Sequence, residues 1–159
     1  MATIIVEDGT QISGANSYVS AADFATYAAD RGVTVTGTDT ILLITAMDYI
    51  EQQNFKGNQL TSTQALQWPR CNVVIDGWYN VQTEIPQLLI DAQCEVALGI
   101  DAGNNPLATV GRETKQETVG PISVTYMQGA RSLPYLSAAE NKLRKLLKYG
   151  GSSAMVIRG

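Results

Sequence analysis

Apolar residues recur with a helical period in four places along the chain. In "NSYVSAADFATYAADRG", Phe24, Tyr27 and Ala28 fall on one side. Ser20 with Asp23 three residues on has the form of a capping box, and Gly32 stands where a helix is stopped. In "ILLITAMDYIEQQ", Leu43, Met47 and Ile50 make one stripe and Leu42, Ala46 and Tyr49 its neighbour. A helix apolar over so much of its circumference is expected at the centre of the fold. "PQLLIDAQCEVALGI" starts on Pro86 in a first-turn position, with Leu88, Leu89, Ala92 and Val96 inward and Asp91 and Glu95 outside that stripe. The last helix is expected to open on a Ser137–Glu140 box and to bury Leu143, Leu146 and Leu147. Lys145 and Lys148 would complement its C-terminal dipole and Gly150-Gly151 would end it.

Shorter signals lie between these. "TIIVEDGT" reads as a strand running into an Asp8-Gly9 turn. Thr61 with Gln64 predicts a short helix through Ala65 and Leu66, stopped at Trp68-Pro69. "CNVVIDGWYNVQTE" places an Asp76-Gly77 turn between apolar pieces, the mark of a small hairpin or ordered loop. From Gly111 to Tyr135 the helical period disappears. Alternation returns only at Ile122, Val124 and Tyr126 after Gly120-Pro121, which predicts a two-stranded hairpin. A hairpin standing alone is marginal in water, so this arm is expected to need a partner. The fold class expected is mainly α: a small helical bundle with an extended β-hairpin arm and a C-terminal helix plus tail. Its organisation is a helical core over 1–102, the arm over 103–135, and the helix and tail over 136–159.

Composition narrows the chemistry. A chain of 159 residues with 45% hydrophobic residues is large enough for a core and too apolar for disorder. No apolar run approaches the ~20 residues that span a bilayer, and "MATIIVEDGT" has no basic n-region, so neither a membrane span nor a secretory signal is expected. Cys71 and Cys94 are expected as free thiols. There is no histidine, which removes Ser-His-Asp and Cys-His catalysis and most zinc sites. Asp91 and Glu95 could be taken for paired carboxylates, but a solvated acidic face accounts for them more simply. No phosphate-binding glycine loop is present. The expectation is a protein without enzymatic activity, metal or cofactor.

The formal charge of −4 hides a split. Up to Ala102 three basic residues face twelve acidic ones, a balance of −9; from Gly103 eight basic residues face three acidic ones, a balance of +5. Lys142, Arg144, Lys145 and Lys148, flanked by Tyr135 and Tyr149, make the last helix basic. A solvated outer face with favourable dipole placement explains that run better than a DNA site, and the acidic whole opposes nonspecific attraction to phosphate.

Four stretches taken in order, "EDGT…GANSYVS", "FKGNQLTSTQALQWPR", "IPQLLIDAQCEVAL" and "KQETVGPISVTY", resemble the head-to-tail connector, or adaptor, proteins of tailed phages. That family is also labelled as DnaT-like single-stranded DNA-binding proteins. The resemblance runs from Glu7 to about Tyr126. It implies a structural virion protein of the neck, made in the host bacterial cytoplasm and assembled as a dodecameric ring under the portal. Its partners would be its own copies, the portal, a downstream tail or nozzle protein, and DNA passing through the lumen without sequence-specific binding during genome ejection. Subunit or portal interface residues would be Arg112, Lys115, Ile122, Val124, Tyr126 and Arg131 on the arm. Those on the C-terminal part would be Lys142, Lys145, Lys148, Met155, Ile157 and Arg158. Trp68, Pro69 and Arg70 would fix a chain reversal, with Trp68 a core anchor and the role of Arg70 open. The alternative function is a single-stranded DNA-binding accessory protein of replication.

Overall fold

Ser20 opens the first helix as the sequence predicts: its Oγ accepts the Asp23 N–H and donates to the Asp23 carboxylate. Helix α1 (Ala21–Asp30) ends at Gly32, whose φ of 66° is the left-handed turn that glycine takes at no steric cost. Helices α2 (Asp39–Ile50) and α3 (Gln87–Asp101) follow, with Pro86 as the N-cap of α3. Between them run short strands β1 (Asn58–Gln59), β2 (Arg70–Cys71), β3 (Val74–Ile75) and β4 (Trp78–Tyr79), and after them β5 (Gln116–Val119), β6 (Ile122–Thr125) and α4 (Ser137–Leu143). This computed structural model describes residues 2–108, 116–119, 122–125 and 136–148. The architecture is mainly helical, with two-stranded antiparallel pairs β1–β2, β3–β4 and β5–β6.

The three longer-range helices share two apolar clusters. Met47 and Ile50 of α2, Leu89 and Ala92 of α3, and Leu143 pack with Tyr18, Phe55, Trp68, Val73 and Leu146. Leu42, Leu43 and Ala46 join Cys94, Val96, Ala97 and Ala139 around Phe24 in the other. α2 is central because its apolar stripe is wide enough to serve both. Trp68 is fully buried, edge-on to Phe55 with ring centres 5.9 Å apart, so it is the anchor expected. Each such large side chain contributes roughly 1.5–3 kcal/mol by leaving water.

Arg70 turns out to be structural. Its guanidinium donates to the main-chain oxygens of Lys56, Gly57 and Gln67, and so clamps the chain reversal around the Trp68-Pro69 bond, which is cis. Gly57 has to be glycine there, since its φ is 69° and a Cβ would lie 2.2 Å from the Cys71 main-chain oxygen.

Three local expectations are corrected. "TIIVEDGT" does not form a strand; Val6 makes only an isolated bridge to Ser17, and the buried Glu7 instead accepts the N–H groups of Gly9, Gln11 and Ile12. Residues 61–69 form turns, not a helix. The Thr61 N–H does bond to Gln64, but the Gln64 amide also donates to the oxygens of Leu66 and Pro69, which ties the segment into the Trp68-Pro69 reversal. Helix α4 has Leu136 as N-cap, without a side-chain cap from Ser137, and it stops at Leu143. Beyond it the chain runs alongside residues 54–56: Leu147 bridges Phe55, the Lys56 N–H donates to Leu146, and the Lys148 N–H donates to Asn54. Lys145 and Lys148 therefore lie past the helix and not in its last turn.

The predicted arm hairpin is present as backbone pairing of β5 with β6, Glu117 opposite Val124 and Val119 opposite Ile122.

Candidate nucleic-acid interface

Asp76 and Gly77, with φ of 51° and 89°, form the two-residue turn that joins β3 to β4. Two successive positive φ values match the right-handed twist of a tight hairpin, as the Asp-Gly pair predicts. The register sets Val74 opposite Tyr79 and Ile75 opposite Trp78. Because side chains alternate along a strand, the two aromatic rings leave opposite faces of the ribbon. Both are open to water, Trp78 at 81% and Tyr79 at 79% of full exposure, with Val74 and Val81 also exposed beside them.

The hairpin is held at its base. The Asn80 N–H donates to Val73, and the Asn80 amide donates to the oxygens of Val81 and Glu84, which orders the return into α3. Ile75 packs on the core. Between the hairpin and the first turn of α3 lies an open groove of about 470 Å³, lined by Trp78, Tyr79, Asn80, Ile85 and Leu88 among others. Its lining mixes apolar and amide side chains and also includes Glu84; a flat, partly polar ring suits the apolar and amide part. At the turn, Lys145 Nζ donates to Asp76 Oδ2 at 2.6 Å. Lys56 Nζ donates to the Lys145 main-chain oxygen at 2.8 Å, so a second ammonium is anchored alongside.

Other lysines are disposed differently. Lys142 Nζ lies 3.4 Å from Asp91, 3.7 Å from Glu95 and 3.1 Å from the Tyr27 hydroxyl, and it is half-buried. Arg31 adds a second cation, 3.8 Å from Glu95 and stacked 3.3 Å from the centre of the Tyr27 ring. Asp91 and Glu95 are thus not a freely solvated face: they hold α1, α3 and α4 together. Burial, with the hydrogen bond to Glu95, drives the Tyr27 phenol well above its ordinary pKa. Burial also pushes the neighbouring Cys94 thiol up to about 12, which leaves it an inert thiol; Cys71 is free as well. Among the described residues no group of His, Cys, Asp and Glu could hold a metal ion, and no helix is long and apolar enough to cross a membrane.

Of the residues expected at an interface, Lys145 borders the hairpin, Lys142 is spent on the internal ion pairs, and Lys148 is exposed on the segment beside Asn54. Ile122 and Val124 are placed by their backbone pairing alone. Arg112, Lys115, Tyr126, Arg131, Met155, Ile157 and Arg158 lie outside the described residues, as do Tyr135, Tyr149 and Gly150-Gly151. Sequence reasoning found the Asp76-Gly77 turn but missed Trp78 and Tyr79. The available signal was an aromatic pair directly after a tight turn in strands too short to bury both faces.

A family model described as "Putative DnaT-like ssDNA binding protein" matches residues 2–159. No curated protein and no solved structure matches the chain. The full-length match corrects the expectation of a phage head-to-tail connector, and with it the virion neck location, the dodecameric ring and the portal, tail and lumenal DNA partners. The physical reason for the misreading is visible in the structure. The stretches that carried the resemblance are rich in residues that build the interior, including Glu7, Ser17, Trp68, Arg70 and Gln93, and such residues specify a fold without specifying what its surface meets. The family is one of non-catalytic binding proteins, and by a match that runs nearly from end to end the chain belongs to it.

Proposed function

We propose that the protein binds single-stranded DNA as an accessory of replication, using the β3–β4 hairpin as a base-stacking platform. The observation that carries this reading is the pair of rings at Trp78 and Tyr79, left 81% and 79% exposed on a hairpin whose base is tied down. Every base has a π-face, and stacking one on an aromatic side chain is worth ~1–3 kcal/mol without regard to sequence. Membership of a family described by single-strand binding supports the same assignment.

The charge pattern supports a single strand over a duplex. With a net charge of −4, the protein gains little from bulk attraction to phosphate, so the denser charge of double-stranded DNA is disfavoured. A duplex also keeps its base faces stacked away from the hairpin rings. Affinity then comes chiefly from stacking, with a few cations near the turn to fix the backbone.

The two tryptophans make the test direct, since Trp68 is fully buried and Trp78 is almost bare. Titration with an oligothymidylate at ~150 mM salt is expected to quench the Trp78 emission saturably, and a duplex of equal length is expected not to. Unchanged emission together with unchanged anisotropy of a labelled single strand would remove this function.

A further inference from the structure

Lys145 and Asp76 are brought to one point from positions 69 apart in sequence. Their side chains remain half open, at 50% and 63% of full exposure, and only Gly77 separates Asp76 from Trp78. An exposed pair of this kind contributes little to stability, because water and salt screen it and two side chains are immobilised. Lys145 is also the described C-terminal lysine whose ammonium stands at the aromatic hairpin, whereas Lys142 is consumed by Asp91, Glu95 and Tyr27. Lys56 Nζ is bonded to the main-chain oxygen of the same residue, Lys145.

We infer that Lys145 is a phosphodiester subsite of the single-strand path, and that in the unbound chain Asp76 occupies it in place of a phosphate. This rests on the single-strand reading above. A nucleotide stacked on the ring of Trp78 brings its own sugar-phosphate to the tip of the hairpin, where Lys145 is already held. The incoming phosphate and the Asp76 carboxylate compete for the same ammonium. Binding exchanges one anion for another and leaves Asp76 unpaired beside the strand, so the carboxylate sets a threshold that a weakly stacked or distant phosphate does not pass.

Asp76→Asn tests this without disturbing the hairpin, because Asn-Gly is itself a preferred pair for a turn with two positive φ values. The variant is expected to bind oligothymidylate roughly 1.5- to fivefold more tightly than the wild type, the range that an exposed ion pair commands. Its log K against log salt should be steeper by up to about 0.7, as one phosphate becomes fully neutralised. Lys145→Gln should weaken binding, and in the Lys145→Gln background the gain from Asp76→Asn should vanish. A gain that persists undiminished in that background means that Asp76 only repels DNA by its charge, and overturns the subsite. Wild-type binding that neither variant alters also overturns the subsite while leaving the single-strand function standing. If neither the wild type nor Asp76→Asn binds single strands, the function itself fails and the subsite fails with it.

Discussion

The side-chain oxygen of Gln93 accepts the main-chain N–H of Tyr18 at 2.9 Å, across 75 positions of sequence. The same amide donates to Ser17 Oγ and to the Leu43 main-chain oxygen. Tyr18 continues the seam, its hydroxyl donating to Glu51 and accepting the Trp68 main-chain N–H. A polar thread thus runs through the junction of the N-terminal segment, α2, α3 and the Trp68 reversal, although the buried Trp68 indole Nε1 beside it has no hydrogen-bond partner among the described residues. Burial raises the Tyr18 phenol well above its ordinary pKa and raises the Glu51 carboxyl, since leaving water penalises the charged form of each.

Replacing Gln93 by Leu keeps the size but leaves the buried Tyr18 N–H without its acceptor. The expected loss is about 1–3 kcal/mol, read as a lower urea midpoint at unchanged slope. A midpoint equal to wild type would mean that the seam is not tying the elements together.

Trp78→Ala and Tyr79→Ala should separate function from fold. Both rings are in water, so stability is expected to stay within about 0.5 kcal/mol. Single-strand affinity should fall by ~1–3 kcal/mol for each. Calorimetry and anisotropy on the same preparations check the two halves of this statement.

Lys142 and Lys145 should respond oppositely to charge reversal. Lys142→Glu sets a third carboxylate against Asp91 and Glu95 and is expected to cost on the order of 1–3 kcal/mol of stability, between the values for exposed and buried pairs. Lys145→Glu, on an exposed side chain, should leave the melting temperature nearly unchanged and weaken DNA binding. Equal losses of stability in the two would contradict the placement of these lysines.

Asp101 provides the pH dependence. Its carboxylate accepts the N–H groups of Thr36 and Gly37 and the Thr36 hydroxyl, and these bonds hold its pKa below the ordinary 3.8. A depressed carboxyl stabilises the fold above the unfolded-state pKa, and that contribution is lost as pH falls through the lowered value. Asp101→Asn should therefore be less stable than wild type at neutral pH, with the gap closing as pH drops below 3.8. Urea midpoints across that range would show it; a gap constant with pH would exclude Asp101 as its source.

What could be read from the chain was what neighbours in sequence decide. The Ser20 cap, the wide apolar face of α2, the Asp76-Gly77 turn and the burial of Trp68 each follow from residues a few positions apart. The pairing of Lys142 with Asp91 and Glu95 could not be read, because it exists only once α3 and α4 pack. The Thr61 box failed for a related reason: its hydrogen bond forms, but a long-range clamp on Arg70 and the Trp68 reversal directs the chain elsewhere. Exposure of Trp78 and Tyr79 was equally hidden, since alternation marks which side chains share a face and not which face is covered.

The segment that runs from Leu143 to Lys148 beside residues 54–56 also has a bearing on how the chain is made. Phe55 and Trp68 sit in a cluster that Leu143 and Leu146 complete, and Leu147 bridges directly to Phe55. During synthesis, α1, α2 and α3 leave the ribosome with that side of the core still open. At ~5–20 residues per second, the interval between the appearance of α3 and the arrival of Leu146 lasts seconds, long compared with helix formation and collapse. Throughout it the cluster around Phe55 lacks the Leu143 and Leu146 side chains that complete it. Final closure comes only when the Leu143–Lys148 segment docks on residues 54–56, so the core is completed after α3 and not by the N-terminal helices alone.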